Sequence, residues 1–385
     1  MTAEPRTTTA PGRASSRLAQ PAPGTSPRSA LRSVVLVGEQ LDTLFGAQLD
    51  ALADRCGAGA TSRSAWLAPT ARALGSRVWA VAVHDQDHEL RAAMVLLDEQ
   101  RLARVLDGSD PGRSPHRLVD VVQLAGSSAG HCSAVLADDA PAARLLGHAY
   151  WEALKGRGRP VLTALGPVAP GGADLLDVAA GMPGAELVAA CAVPTIERRD
   201  SPLAEDYLSA SMRRTLRKAA NRTNTDGRRT TLRFTADLAE IRALLPDLER
   251  LHRDRDHDQG RISRLDDPHE VVLHRGRLTA LAEAGCLEVA TLRIDDELAA
   301  HVVGLLDGRT YRVLEGILAS RFARYSPGRV LETEVLQRML DDSGLDTLDW
   351  VSSVASETLL AANGAVPTTL LRAAIAGPAV PAVQD

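Results

Sequence analysis

Between residues 287 and 318 the apolar positions fall into three blocks, 287–294, 298–306 and 310–318, cut by Asp295-Asp296 and by Asp307-Gly308. Asp and Gly tolerate the positive φ angles of tight hairpins, so the blocks predict three antiparallel strands. After Tyr325-Ser326-Pro327-Gly328 the spacing changes. Val330, Leu331, Val335, Leu336, Met339 and Leu340 recur at i, i+4 and put one oily face on a helix. Ser343-Gly344 stops that helix, and 345–351 reads as a further strand.

The same order is legible upstream. A short strand at 34–37 precedes helical spacing at Leu41, Leu44, Phe45 and Leu52, and strands at 77–83 and 89–97 form a hairpin across His84-Asp85-Gln86-Asp87. A strand at 119–124 leads to a helix opened by Pro141, and strands at 161–165 and 187–193 flank a short helix near 174–180. A meander followed by helix and strand thus occurs twice. This predicts an α+β chain of two tandem halves, each a mixed, mainly antiparallel sheet flanked by helices. Pro, Glu, Arg and Asp replace the apolar run at 194–202, which divides the chain into 31–200 and 201–375. The second part opens with helices at 203–223, at 238–255 broken or kinked near Pro246, and at 268–283. Residues 1–30, rich in Thr, Ser, Pro, Ala and Arg, read as a disordered tail, and 376–385 as a flexible one.

Composition narrows the function classes. A chain of 385 residues with 45% hydrophobic residues can fill two cores, and with 3% aromatics those cores are aliphatic. A net charge of -5 gives no global attraction to nucleic acid or anionic membrane, and few rings remain for stacking bases. No apolar run reaches the length of a membrane span. Cys56, Cys132, Cys191 and Cys286 are scattered without paired spacing, which reads as buried thiols in a reducing cytoplasm. His84, Asp85, Asp87 and His88 crowd a turn without ligand spacing, and His252 and His257 stand five apart, off a common helix face, and read as surface charge. No metal is expected from either.

Two features carry chemistry. A helix N-terminus at Ser326-Pro327-Gly328, with Arg324 and Arg329 beside it, reads either as free N–H groups that suit an anion or as an ordinary strand-to-helix corner. Upstream, Arg214, Lys218 and Arg222 stand one turn apart, as do Arg213 and Arg217, in a stripe without acids from 207 to 225. The stripe fits phosphate contact or a solvated face.

Meander, turn, helix and strand, with Arg324-Tyr325-Ser326-Pro327-Gly328 at the turn, resemble the GNAT acyltransferase superfamily and its cellulose-biosynthesis-associated (CelD-like) branch. The likeness runs upstream through Glu283-Ala284-Gly285 and 251–261 to Arg217-Lys218. It implies that the turn binds the pyrophosphate of an acyl-coenzyme A co-substrate through Ser326, Gly328, Arg329 and Val330, with Arg214 and Lys218 reaching its phosphates. Tyr325, Gly328 and Val330 stand at the three fixed positions of the family's Gln/Arg-x-x-Gly-x-Gly/Ala pattern, and the glycine matches. Val351-Ser352-Ser353-Val354-Ala355-Ser356-Glu357 replaces the Tyr-Lys segment common in the branch.

Acyl transfer also needs a base and an acid. Glu315, mid-strand in an apolar run, is the candidate base, with burial expected to raise its pKa. Pairing with Arg312 or Arg293 across the sheet is the structural alternative. Tyr325 either protonates the departing thiolate or walls the pocket, and His301 reads as a satisfied core histidine. The resemblance implies an N-acyltransferase acting on a small-molecule amine. Fem-type transfer from aminoacyl-tRNA, disfavoured by charge and aromatic content, and a catalytically silent scaffold are the alternatives.

Overall fold

The computed structural model describes residues 30–104, 116–170, 172–351 and 360–375. The tails expected at 1–30 and 376–385 fall outside these residues, Ala30 excepted. The first half runs β1 (Arg32–Val37), α1 (Ala47–Arg55), α2 (Ser64–Leu74), β2 (Val78–His84), β3 (Leu90–Arg104), β4 (His116–Leu124), β5 (Leu136–Ala137), α3 (Ala140–Lys155), β6 (Val161–Val168), α4 (Leu175–Ala180) and β7 (Glu186–Glu197). The second repeats the order: α5 (Ala210–Thr225), β8 (Thr230–Thr235), α6 (Leu238–Asp258), α7 (Pro268–Glu283), β9 (Leu287–Ile294), β10 (Glu297–Asp307), β11 (Thr310–Leu318), α8 (Pro327–Asp341), β12 (Thr347–Asp349) and β13 (Gly364–Ile375). Strand, two helices, a meander, a helix and closing strands thus occur in both halves. The predicted hairpins hold: Asp295 and Asp296 take φ of 50° and 68°, and Gly308 takes 60°.

Among the described residues all strands belong to one sheet, ordered β1-β2-β3-β4-β6-β13-β7-β12-β11-β10-β9-β8, with β5 on β3. β4 with β6 and β11 with β12 pair in parallel, and the other neighbours are antiparallel. The final strands of the halves are exchanged. β7 pairs β12 of the second half, β13 pairs β6 of the first, and β7 and β13 pair each other between them.

Strand alternation sorts the cores. Val78, Ala80 and Ala82 of β2 and Leu287 and Val289 of β9 face one continuous core with α1, α2, α6 and α7, so both halves share it. On the other face Trp79, Val81 and Val83 pack with α3 and α4, and Ala290 and Leu292 pack with α8. Among the described residues no helix is long and apolar enough to cross a membrane.

Four expectations change. The helix expected from 203 starts at Ala210, because Ser209 caps it by accepting from the Met212 N–H at 3.1 Å. Pro246 does not break α6, since Ile241 and Leu245 before it and Leu248 and Leu251 after it bury one face. The strand expected at 345–351 shortens to Thr347–Asp349. Cys191 is exposed rather than buried, while Cys56 and Cys286 are half-buried. At the turn of His84 the Asp85 carboxylate accepts from the N–H groups of Asp87 and Glu89, both at 3.0 Å, closing the hairpin.

Where β7 leaves the sheet, the Arg198 guanidinium donates to the carbonyls of Met339, Leu340, Asp342 and Leu345, each at 2.7 Å, closing the C-terminal end of α8. Arg198→Ala is expected to cost about 2–3 kcal/mol, the range of charged hydrogen bonds, read as a lower denaturant midpoint with an unchanged slope.

Candidate active site between the halves

Glu315 owes its direction to a bulge. In the β10–β11 ladder Val303 faces Glu315 and Gly304 faces Val313, leaving Leu314 as the extra residue. A bulge re-aims the side chains around it, and Glu315 turns toward α6 and α7. Its carboxylate accepts from His301 Nε2 at 2.8 Å and from His252 Nδ1 at 3.1 Å. His274 Nε2 stands 3.7 Å away and the Arg264 guanidinium 3.5 Å.

The side chain of Glu315 is 12% exposed. Burial pushes its carboxyl up, but the surrounding His252, His274 and His301 outweigh it and hold it well below the ordinary carboxylate range. The expected rise is therefore reversed. The pairing with Arg312 or Arg293 is also absent: Arg312 bonds Asp307 and Asp349, and Arg293 bonds Asp247 and the Asp296 carbonyl. His301 is the core histidine expected, fully buried, although its Nδ1 has no partner among the described residues. His252 belongs to this cluster and not to the surface, its Nε2 lying 3.4 Å from Asp256. Among the described residues no group of side chains has metal-holding geometry, since these histidines aim at the carboxylate and not at a common empty point.

A cavity of about 60 Å³ adjoins the cluster, lined by Trp66 of α2 in the first half and by Arg264, His274, Arg277 and Glu315 of the second. The Arg277 guanidinium lies 4.4 Å from the Trp66 ring centre and donates to Thr70 Oγ1 at 2.9 Å. Burial, aided by Arg264, lowers its pKa to about 10, so it remains a cation at neutral pH.

On its other edge β11 pairs β12 only over Thr310–Arg312, and among the described residues Val313 to Leu318 have no strand partner there. Asp349 pins the split. It receives Arg312 from one side and His131 of the first half from the other, at 2.9 Å. Burial raises its carboxyl, but these two partners hold it down.

The turn into α8 stands at the top of β11. Ser326 takes φ of 50°, Pro327 opens the helix, and a Cβ on Gly328 would stand 2.9 Å from Leu318 Cδ2. Arg329 folds back onto Glu332 at 2.9 Å. Tyr325 is buried and donates its hydroxyl proton to Asp226 at 2.7 Å, and Arg324 joins the same carboxylate at 2.9 Å. With Arg213, Arg217, Leu216 and Val330, Tyr325 lines a second cavity of about 390 Å³ between α5 and α8.

The predicted residues thus divide. Ser326, Gly328 and Arg329 sit at the turn, and Tyr325 and Val330 wall the α5–α8 cavity beside it. Glu315 faces the opposite side of the sheet. Arg214 and Lys218 are exposed and, among the described residues, form no ion pair, whereas Arg213 and Arg217 face the cavity. Trp66, Arg264, His274, Arg277 and His131 were missed. One signal was available: His274 and Arg277 stand three apart in a predicted helix and share a face.

Residues 210–356 match the family model described as an acetyltransferase (GNAT) domain. No curated protein matches the chain. Among solved structures the chain is similar to FemX, at 13% identity over 80% of this chain and 87% of that one, with a TM-score of 0.51. It is also similar to L-PGS from Bacillus licheniformis, at 11% identity over 84% and 90% with a TM-score of 0.46. A tandem GNAT protein from the clavulanic acid biosynthesis pathway aligns at 14% identity over 89% and 98%, with a TM-score of 0.44. The likeness to FemX is one of fold.

Proposed function

From the GNAT-type domain at residues 210–356 as premise, we propose that the protein is an N-acyltransferase that moves an acyl group from acyl-coenzyme A to an amine. The observation that carries this reading is the split between β11 and β12, which opens one edge of β11 between the α8 N-terminus and the Glu315 cluster. Phosphates meet the free N–H groups of the first turn of α8, with Arg217 an exposed cation on the wall of the adjoining cavity. N–H groups on the open edge of β11 stabilise the oxyanion that develops on the thioester carbonyl.

The neutral amine attacks the thioester carbon. The N–C bond forms, the C–S bond breaks, one proton leaves the nitrogen and the thiolate takes one up. His274 receives the first proton, since it lines the cavity and Glu315 holds its ring in place, as a carboxylate orients an imidazole in hydrolytic triads. Glu315 is a positioning anion here, because a carboxyl held this low is too weak a base at neutral pH. The Tyr325 hydroxyl is committed to Asp226, which supports its reading as pocket wall. The exposed Arg214 and Lys218 support the aminoacyl-tRNA reading as the second choice.

Calorimetry on the full chain tests the first reading. Coenzyme A is expected to bind, and Gly328→Asp to weaken it at least about tenfold by placing a like charge and a crowded Cβ at the turn. The Arg214→Glu/Lys218→Glu double reversal is expected to leave that affinity unchanged. No heat at millimolar coenzyme A, or an unaffected Gly328→Asp, removes the reading. Salt-sensitive tRNA binding that the double reversal abolishes establishes the second reading instead.

A further inference from the structure

We propose that the cavity between α2 and α7 holds the carboxylate of the acceptor, so that the amine acylated by this protein is an α-amino acid. The inference rests on the acyl-transfer reading for the fate of the amine. The binding step stands on the cavity itself.

Two of its walls carry polar atoms with nothing to bond among the described residues. Trp66 is 6% exposed and His274 7%, and neither Trp66 Nε1 nor His274 Nδ1 has a partner there. Buried polar groups left in this state are costly, and native proteins keep few of them. An indole N–H can only donate, so it calls for an acceptor oxygen.

The charged groups of the lining agree. The Arg264 and Arg277 guanidiniums line the cavity beside the Glu315 carboxylate. Guanidiniums pair with carboxylates through charge-assisted hydrogen bonds, so both favour an acceptor that carries one. An alkylamine without a carboxylate would leave the indole N–H unanswered.

Size excludes large groups. A water needs about 10–15 Å³ of such space, so about 60 Å³ takes a carboxylate with its α-carbon and amine. With the carboxylate at the Trp66 and Arg277 end, the amine one carbon away comes to the His274 and Glu315 end. There its proton can be taken and β11 brings the thioester edge near. The first half of the chain supplies Trp66, and with it part of the acceptor site.

The test uses the full chain and calorimetry without coenzyme A. Each of the twenty common α-amino acids, its carboxamide, and inorganic phosphate are titrated separately. At least one amino acid is expected to bind at least ten times more tightly than its amide. Trp66→Phe, which keeps the ring and removes the N–H, is expected to weaken that binding several-fold. The half-exposed Arg264→Gln should weaken it about tenfold, as should Arg277→Gln where it folds. Coenzyme A affinity is expected to stay the same in Trp66→Phe and Arg264→Gln. No amino-acid binding at millimolar concentration overturns the proposal, and so does equal binding of acids and amides, phosphate binding alone, or indifference to Trp66→Phe and Arg264→Gln. Because coenzyme A binding is measured separately, its loss alone would remove the acyl-transfer reading while the carboxylate site stood.

Discussion

Glu315→Gln is expected to lower kcat for transfer from acetyl-coenzyme A by roughly 10²- to 10³-fold, within the span that a positioned acid–base group supplies. KM for acetyl-coenzyme A should be unchanged, because the proposed site puts the thioester's phosphates at the α8 turn, away from Glu315. The amide keeps the shape of the carboxylate but not the charge that organises His252, His274 and His301. The same change should cost about 2 kcal/mol at neutral pH, the worth of one or two charge-assisted hydrogen bonds. Its pH dependence has a definite sign. The folded-state pKa of Glu315 is depressed, so the stabilisation is present above its unfolded value of about 4.3 and is lost as pH falls through the folded value. In urea melts the gap between wild type and Glu315→Gln should be full near neutral pH and shrink progressively as pH falls below about 4. A gap that widens or stays constant as pH is lowered through that range, or a variant with wild-type kcat, would sink this account.

Ending the chain at Asn363, which deletes β13, is expected to abolish cooperative unfolding or to leave the protein insoluble. β13 bonds β6 along one edge and β7 along the other, and it buries Leu371 and Ala373 in the core with α3 and α4. Without it both neighbours present unpaired backbone, which templates aggregation. Leu371→Ala is the graded form of the test: a leucine with no exposure should cost about 2–5 kcal/mol. A soluble truncated chain with a wild-type melt would show that the exchange contributes little. Recovery of the melt on adding a peptide of residues 360–375 would show that it is the strand, and not the chain end, that matters.

How much of this was legible depended on where each partner lies in sequence. The β9–β10–β11 meander was readable because its hairpins are local and Asp295-Asp296 and Gly308 announce their own φ angles. β13 was not, since Gly364-Ala365-Val366-Pro367 offers neither alternation nor a nearby partner, and its ladders reach back to residues 161–195. A charge in an apolar run marked Glu315, but the sign of its pKa shift came from histidines 14 to 63 residues away. Burial can be inferred from one strand; the hydrogen bonds that outweigh it cannot. The basic stripe was visible as a pattern, yet only the packing of α5 on the turn before α8 distinguishes the cavity-facing Arg213 and Arg217 from the exposed Arg214 and Lys218.

The exchanged strands also set a timetable. During synthesis β6 leaves the ribosome with β4 already made on one side, but the strand for its other side appears only with Gly364–Ile375. At about 5–20 residues per second, an edge complete at Val168 waits roughly ten to forty seconds for Gly364–Ile375. The first half therefore cannot finish before the second has been made. Its open edge must be tolerated through that interval, either by slow pairing or by whatever shields nascent strands in the cell.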